Sequence, residues 1–231
     1  MMKIEFITND SLSMELYKPE PVKKHFPEWF KETPHATFDP LDAPSYGGAG
    51  SVSPYTITSC VPVKDYMTSG YIIRNTYDVV ITPLIDRDPV DFCDYTLGER
   101  FEFHRHGQCP VAIKGKRRDY FKYINHWLVK TPPGYSCMFY QPEYFFESRF
   151  RLFPGIVDTD SYNMPVNFIG TILADESFLL EAGTPLMVVF PFKREEWDSD
   201  VKEALIKQDN RFIAKLSKVY RTLCHTKKVY R

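Results

Sequence analysis

From residue 55 to about residue 195 the chain is a succession of short β-prone runs, and that succession limits its folding options more than any other feature. "YTITSC", "GYIIRN", "YDVVITPLI", "RFEFH", "PVAIKG", "NHWLVKT", "YSCMFYQ", "MPVNFIGTIL", "SFLLEAG" and "PLMVVFPF" follow one another, and Gly, Pro, Asn and Asp separate most of them. Runs this short, broken this regularly, predict an all-β sandwich or barrel of jelly-roll or β-clip type. Aromatic content of 16% agrees, because Phe and Tyr suit a pleated, half-buried surface. Two joints stand out. Pro132-Pro133-Gly134 joins two runs with proline pre-set for the second turn position and glycine ready for a positive φ. Ala182-Gly183 bends "FLLEAGTPLMVVFPF" in a similar way.

The flanks read differently. Residues 1–54 combine a first strand, "MKIEFITND", with a Pro-rich arm that holds a helical turn near "PEWFKE" and a flexible connector at "YGGAG". Residues 55–197 form the β-domain. In residues 198–231, Val201, Ala204, Leu205, Phe212, Leu216, Val219 and Leu223 recur at helical spacing, which predicts an amphipathic helix capped by Asp198 or Ser199 and followed by a basic tail.

A formal net charge of -1 gives no general attraction to nucleic acid or to an anionic membrane. Five cysteines without a CxxC pair read as reduced thiols in a cytosolic compartment. The N-terminus is too polar for a signal peptide, and no apolar run approaches bilayer length.

Three groupings could carry chemistry. His104 and His106 alternate around Arg105, so a strand would turn both imidazoles to one face. Together with a carboxylate such as Glu102, Asp158 or Asp160 they could form a cupin-like site for a divalent metal (Mg, Fe or Zn); alternatively they hydrogen-bond locally at a strand end. Asp158 and Asp160 also share a face, with Thr159 on the other. Paired carboxylates can orient a water, hold Mg2+ or accept ribose hydroxyls, and they can equally begin a turn. The aromatic-rich "YQPEYFFESRFRLF" supplies Tyr144 and Arg149, which could stack on a base and grip a phosphate, or could form a contact between copies of the chain.

The motifs "GYII" (70–73), "TPPGYS" (131–136), "GIVDTD" (155–160), "PVNF" (165–168) and "EAGTPLMVVFPFKRE" (181–195) resemble, in that order, a phage and bacterial family with no assigned function. The resemblance spans "PEWF" (27–30) to Trp197 and implies a bacterial or phage-infected-host cytoplasm. More distantly, "PPGYS", "GIVDTDSY" and "EAGTPLMVVFPF" resemble the trimeric dUTPase and dCTP deaminase superfamily. That likeness implies a catalytic, water-activating role for Asp158 and a base-contacting role for Tyr162. The chain departs from the family at its phosphate-binding segment, which here reads "YQPEYFF". The expectation is a small-ligand-binding β-domain, with a nucleotide as the ligand class and Asp158, Asp160, Tyr162, Arg149 and Tyr144 at the site. The alternatives are a structural or interaction protein and a cupin-like enzyme.

Overall fold

The computed structural model describes residues 2–37, 55–83, 101–104, 120–203 and 220–231. The chain divides into two compact units, Met1–Val22 with Gly70–Arg194, and Lys23–Ser69 with Glu195–Arg231.

The first unit carries the strands, and it is all-β as the run pattern predicts. In chain order they are β1 (Glu5–Ile7), β2 (Glu20–Pro21), β3 (Tyr71–Arg74), β4 (Val79–Ile81), β5 (Phe101–His104), β6 (Tyr120–Tyr123), β7 (Leu128–Lys130), β8 (Tyr135–Tyr140), β9 (Phe150–Leu152), β10 (Gly155–Val157), β11 (Phe168–Ile172), β12 (Phe178–Leu180) and β13 (Pro185–Lys193). A short helix, α1 (Ser11–Leu16), follows β1 and is capped by the Asp10 side chain, which accepts from the Ser13 N–H. The strands form a five-stranded sheet, β10-β8-β13-β3-β2, a four-stranded sheet, β5-β6-β11-β9, and two pairs, β1-β7 and β12-β4. All the pairings among described strands are antiparallel.

The two larger sheets bury one core between them. Ile73, Cys137, Phe139, Met187 and Val189 come from the first sheet, and Phe121, Tyr123, Phe150, Leu152, Phe168 and Ile172 from the second. Aromatic rings dominate the second layer: Tyr123 and Phe168 stack at 5.9 Å, and Phe150 stacks on Phe178 at 6.4 Å. β13 is central and buried on both faces, since Val188 packs away from this core with Val22 and Ile72. Gly70 enters β3 with φ +80, and a Cβ there would meet the Val189 carbonyl oxygen at 2.5 Å. Only glycine accepts both conditions.

The two joints foreseen in the sequence do bend the chain, but they are corners and not hairpins. β7 pairs with β1 while β8 pairs with β10 and β13; β12 pairs with β4 while β13 pairs with β3 and β8. Each joint therefore passes the chain from one sheet to another. The second corner is clamped by Asn75, which is fully buried. Its Nδ2 donates to the carbonyls of Leu180 and Glu181, each at 3.1 Å, and to that of Tyr77, while its Oδ1 accepts from the Tyr123 hydroxyl at 3.2 Å. Its backbone N–H donates to the Thr184 carbonyl at 2.8 Å, and its carbonyl accepts from the Gly183 N–H at 2.7 Å.

In the second unit "YTITSC" is not a strand. Glu28–Glu32 forms a short helix, α2, Ile57–Ser59 a 3-10 turn and Val61–Tyr66 a helix, α3, with Pro62 in its first turn. The reason is local: the Thr56 and Thr58 hydroxyls donate to the Pro34 carbonyl at 2.5 and 3.3 Å, which favours a turn over a ladder. The C-terminal segment joins α3 through Asp65, which accepts from Lys228 at 2.5 Å and pairs with His225 Nε2 at 3.0 Å. Burial pushes the Asp65 carboxyl up, but the hydrogen bonds from Lys228 and His225 together outweigh it and hold the group below its ordinary value.

In the expected C-terminal helix, Val201 is not helical and is 95% exposed. Ala204, Leu205, Phe212, Leu216 and Val219 lie outside the described residues. "PVAIKG" lies outside them too. Among the described residues no helix is long and apolar enough to cross a membrane.

Candidate functional site

The Pro-Pro-Gly corner builds one wall of the site. The Tyr135 N–H donates to the Pro132 carbonyl at 3.2 Å, and Gly134 takes φ +84, as in a type II turn with proline second and glycine third. This turn starts β8, whose register with β10 pairs Val157 with Cys137. One residue further on, Asp158 comes level with Ser136. On the other flank β13 runs beside β8 until Lys193 pairs with Tyr135, which brings Arg194 level with Gly134. The Arg194 N–H then donates to the Gly134 carbonyl at 2.9 Å.

Strand alternation accordingly turns Asp158 and Asp160 together toward Arg194 and sends Thr159 inward. Thr159 is fully buried and donates to Cys137 Sγ at 3.3 Å. Asp160 holds Arg194 with both oxygens, Oδ1 to Nη1 at 3.0 Å and Oδ2 to Nη2, and Oδ2 also accepts from the Gly134 N–H at 2.8 Å. The Arg194 guanidinium, helped by the Gly134 N–H, holds the Asp160 carboxyl down at about 2. Asp160 thus ties together the Pro-Pro-Gly corner, the end of β13 and the turn after β10.

Asp158 is placed differently. Its Oδ1 accepts from the Ser136 hydroxyl at 2.6 Å and lies 3.2 Å from Arg194 Nη1, while its side chain stays 61% exposed. Its backbone carbonyl accepts from the N–H groups of Ser161 and Tyr162 at 3.1 and 2.9 Å, closing a turn. The turn, one of the two alternatives for this pair, is made by the backbone of Asp158, and its side chain faces solvent with one oxygen oriented by Ser136. Arg194 already sits where a cation bridging the two carboxylates would have to lie.

On the face of β10 opposite this cluster is a cleft of about 580 Å³, a volume ordinary for small-molecule sites (~300–1,000 Å³). Its origin is topological. After β9 the chain leaves the four-stranded sheet at Phe153-Pro154, runs as β10 along the edge of the five-stranded sheet, turns at Asp158–Tyr162 and returns as β11. β10 and β11 do not pair, so a gap opens between them. Its floor is apolar, with Phe139, Phe168 and Met187, and Gly155 and Val157 of β10 face Val166 and Asn167 across it. Asn167 Oδ1 accepts from the Asn125 N–H at 3.2 Å, which leaves its amide N–H2 as the polar group it brings to the wall.

The other foreseen residues lie as follows. Tyr162 follows the turn, is 44% exposed, and its carbonyl accepts from Lys130 at 2.9 Å. Arg149 is committed elsewhere: Nε and Nη2 donate to Glu147 at 2.8 and 2.7 Å, Nη1 donates to the Leu179 carbonyl at 2.7 Å, and the guanidinium lies over the Phe178 ring. Tyr144 meets Phe146 edge-on at 6.3 Å. His104 closes β5 opposite Tyr120, at the far end of the strand from the Phe101–Tyr123 pair. Its side chain, and all of His106, lie outside the described residues, so the metal expectation falls there as well. Glu102 pairs with Lys122 across the strands. Among the described residues no group of three or more His, Cys, Asp or Glu is gathered as a metal site would require.

Arg194 and Ser136 are the members of the cluster that sequence reasoning missed. Both lay inside quoted motifs, but only the β8–β13 register shows that "KRE" ends beside "PPG". Cys137 beneath the site is fully buried, and burial pushes its thiol up to about 11 against the opposing hydrogen bond from Thr159. A thiolate-directed reagent at neutral pH is therefore expected to label the exposed Cys60 and Cys224 promptly, and Cys137 only on unfolding. Peptide mapping of the labelled protein checks this, and early modification of Cys137 contradicts it.

No family model matches the chain, and no curated protein matches it. Among solved structures the chain is similar to native EIAV dUTPase, at 14% identity over 58% of this chain and 87% of that one, with a TM-score of 0.33.

Proposed function

We propose that the protein binds a small ligand of nucleoside or nucleotide type in the cleft between β10 and β11. The observation that carries this reading is the cleft itself: an apolar floor for a flat ring, with Asn167 in its wall for polar recognition. The segment that resembles the dUTPase superfamily, Gly155–Tyr162, supplies one wall and the turn. Asp158 points to the other face of β10, toward Ser136 and Arg194, so recognition of the ligand falls to the wall of the cleft itself. Asp160 and Arg194 hold the wall and do not serve as ligand groups.

A thermal-shift panel of nucleosides and nucleotides tests the proposal. A ligand present at about 100 times its dissociation constant adds ~2.7 kcal/mol to native stability and raises the melting temperature accordingly. Asn167→Ala is expected to weaken that ligand about fivefold, the scale of one neutral hydrogen bond. A flat response to the whole panel overturns the reading in favour of an interaction protein. The observation favouring that second reading is an apolar row on the outer face of the five-stranded sheet, where Ile156 pairs with Met138 and Met138 with Phe190. Ile156 is 64% exposed and Met138 37%.

A further inference from the structure

Residues 195–203, Glu-Glu-Trp-Asp-Ser-Asp-Val-Lys-Glu, are exposed at every position and form neither helix nor strand. Trp197 is 86% exposed and Val201 95%, the two highest values among the large exposed hydrophobic side chains of the described residues. An indole can bury roughly 150–250 Å² against a partner, so leaving it in water forgoes one of the largest gains a side chain can make. The same nine residues carry five carboxylates and one lysine.

The first unit holds a surface of complementary character. A cleft of about 470 Å³ is walled by Ile4, Phe6, Met14 and Trp127 and flanked by Lys3 and Lys18. β1 runs along it and pairs only with β7, so one of its edges is open among the described residues. Met14 at the cleft is 42% exposed, and Ile7 beside it 47%. Lys3 shares its charge with Glu5 at 2.9 Å, and Lys18 has no ion pair among the described residues.

We propose that this cleft receives residues 195–203 of a second copy of the chain. Trp197 seats against Phe6, Met14 and Trp127. The carboxylates of the segment meet Lys18 and Lys3, and its extended backbone runs beside the open edge of β1, as in strand addition. The charge match selects this occupant: an acidic, aromatic segment faces an apolar cleft edged by lysines, and a second copy always brings both halves. Reciprocal exchange of segments between two copies closes the assembly with two identical contacts.

Sedimentation of the full chain across concentration and salt tests this. Reversible self-association that weakens as salt rises is expected. Trp197→Ala and Lys18→Glu should each weaken it about 30-fold or more, the scale of an interface hot spot, while leaving the circular dichroism spectrum unchanged, since both side chains lie outside the core. Mixing the two variants is the decisive arm. One still offers a sound cleft and the other a sound segment, so the mixture should form pairs that neither forms alone. A chain that stays monomeric at high micromolar concentration overturns the proposal. Variants that associate like the parent do so too, as does a mixture that restores nothing. A chain that is monomeric throughout and whose melting temperature falls with Trp197→Ala binds the segment within one molecule, and that result overturns it as well.

Discussion

Asn75→Asp is expected to cost about 3–5 kcal/mol, the scale of an uncompensated buried charge, and to shift the urea midpoint accordingly. The amide fills a site that no other side chain fills. One N–H2 serves the carbonyls of Tyr77, Leu180 and Glu181 while the amide oxygen takes the Tyr123 hydroxyl. An ionised Asp keeps the bond from Tyr123 but presents negative charge to three carbonyl oxygens, in a position with no solvent exposure. Asn75→Ala removes the donor without adding the charge and should cost less, since the penalty is then confined to carbonyls left without a partner. The order of the two variants is the test. If Asp is tolerated as well as Ala, those carbonyls do not converge on residue 75 as described. The consequence extends beyond the corner, because the clamp fixes where β13 begins, and the far end of β13 delivers Arg194 to the candidate site.

How much of this could be read from the sequence depends on the range of the interaction concerned. Short-range chemistry was legible. Pro133 and Gly134 form the turn their types demand, because the φ preferences of two adjacent residues settle it. The shared face of Asp158 and Asp160 follows from the two-residue period of a strand and needs no partner. Pairing was not legible. The runs on either side of Pro132-Pro133-Gly134 look like a hairpin, yet β7 and β8 belong to different sheets. Turn residues specify that the chain reverses; which edge the next strand joins depends on burial of faces across the whole unit. "YTITSC" failed for a related reason. Its threonines bond back to residue 34, more than twenty positions earlier, and no periodicity within six residues records that.

The candidate site divides along the same line. Its carboxylates stood out as a local pattern, whereas the cleft on the opposite face of β10 is assembled from β8, the β9–β10 crossing, the start of β11 and the middle of β13. No one of these segments is concave. Arg149 shows a partner that spacing alone does not reveal: the arginine lies among aromatics, and Glu147, two residues earlier, accepts from its Nε and Nη2. Arg194 carried no local signal at all, since a charged residue at the end of a strand is usually solvated. Its importance comes from four carbonyl and carboxylate neighbours at residues 134, 135, 158 and 160.

Arg194→Glu is expected to reverse the sign of what this carboxylate cluster contributes to the acid response. In the parent, Asp160 lies at about 2 against an ordinary 3.8, so it contributes stability that is complete above the ordinary value and is lost as pH falls toward 2. Replacing the guanidinium by a carboxylate puts like charge on Asp158 and Asp160 at what were ion-pair distances, 3.2 Å for Asp158 and 3.0 Å for Asp160 Oδ1. Like charges this close raise one another's pKa in the folded state. A raised folded-state value means that these groups bind protons more tightly in the native protein than in the unfolded chain, so their contribution to stability now increases on acidification from neutral pH. The variant should also be much weaker than the parent at pH 7, with faster hydrogen exchange at Gly134, whose N–H depends on Asp160 staying in place. Adding Asp160→Asn removes one of the three charges and should abolish most of the reversal without restoring the parent. Urea midpoints measured from pH 7 down to pH 3 separate the cases. If the parent and Arg194→Glu lose stability together on acidification, Asp160 is not the anchor of this wall, and the cleft beside it has lost the brace on which the ligand proposal relies.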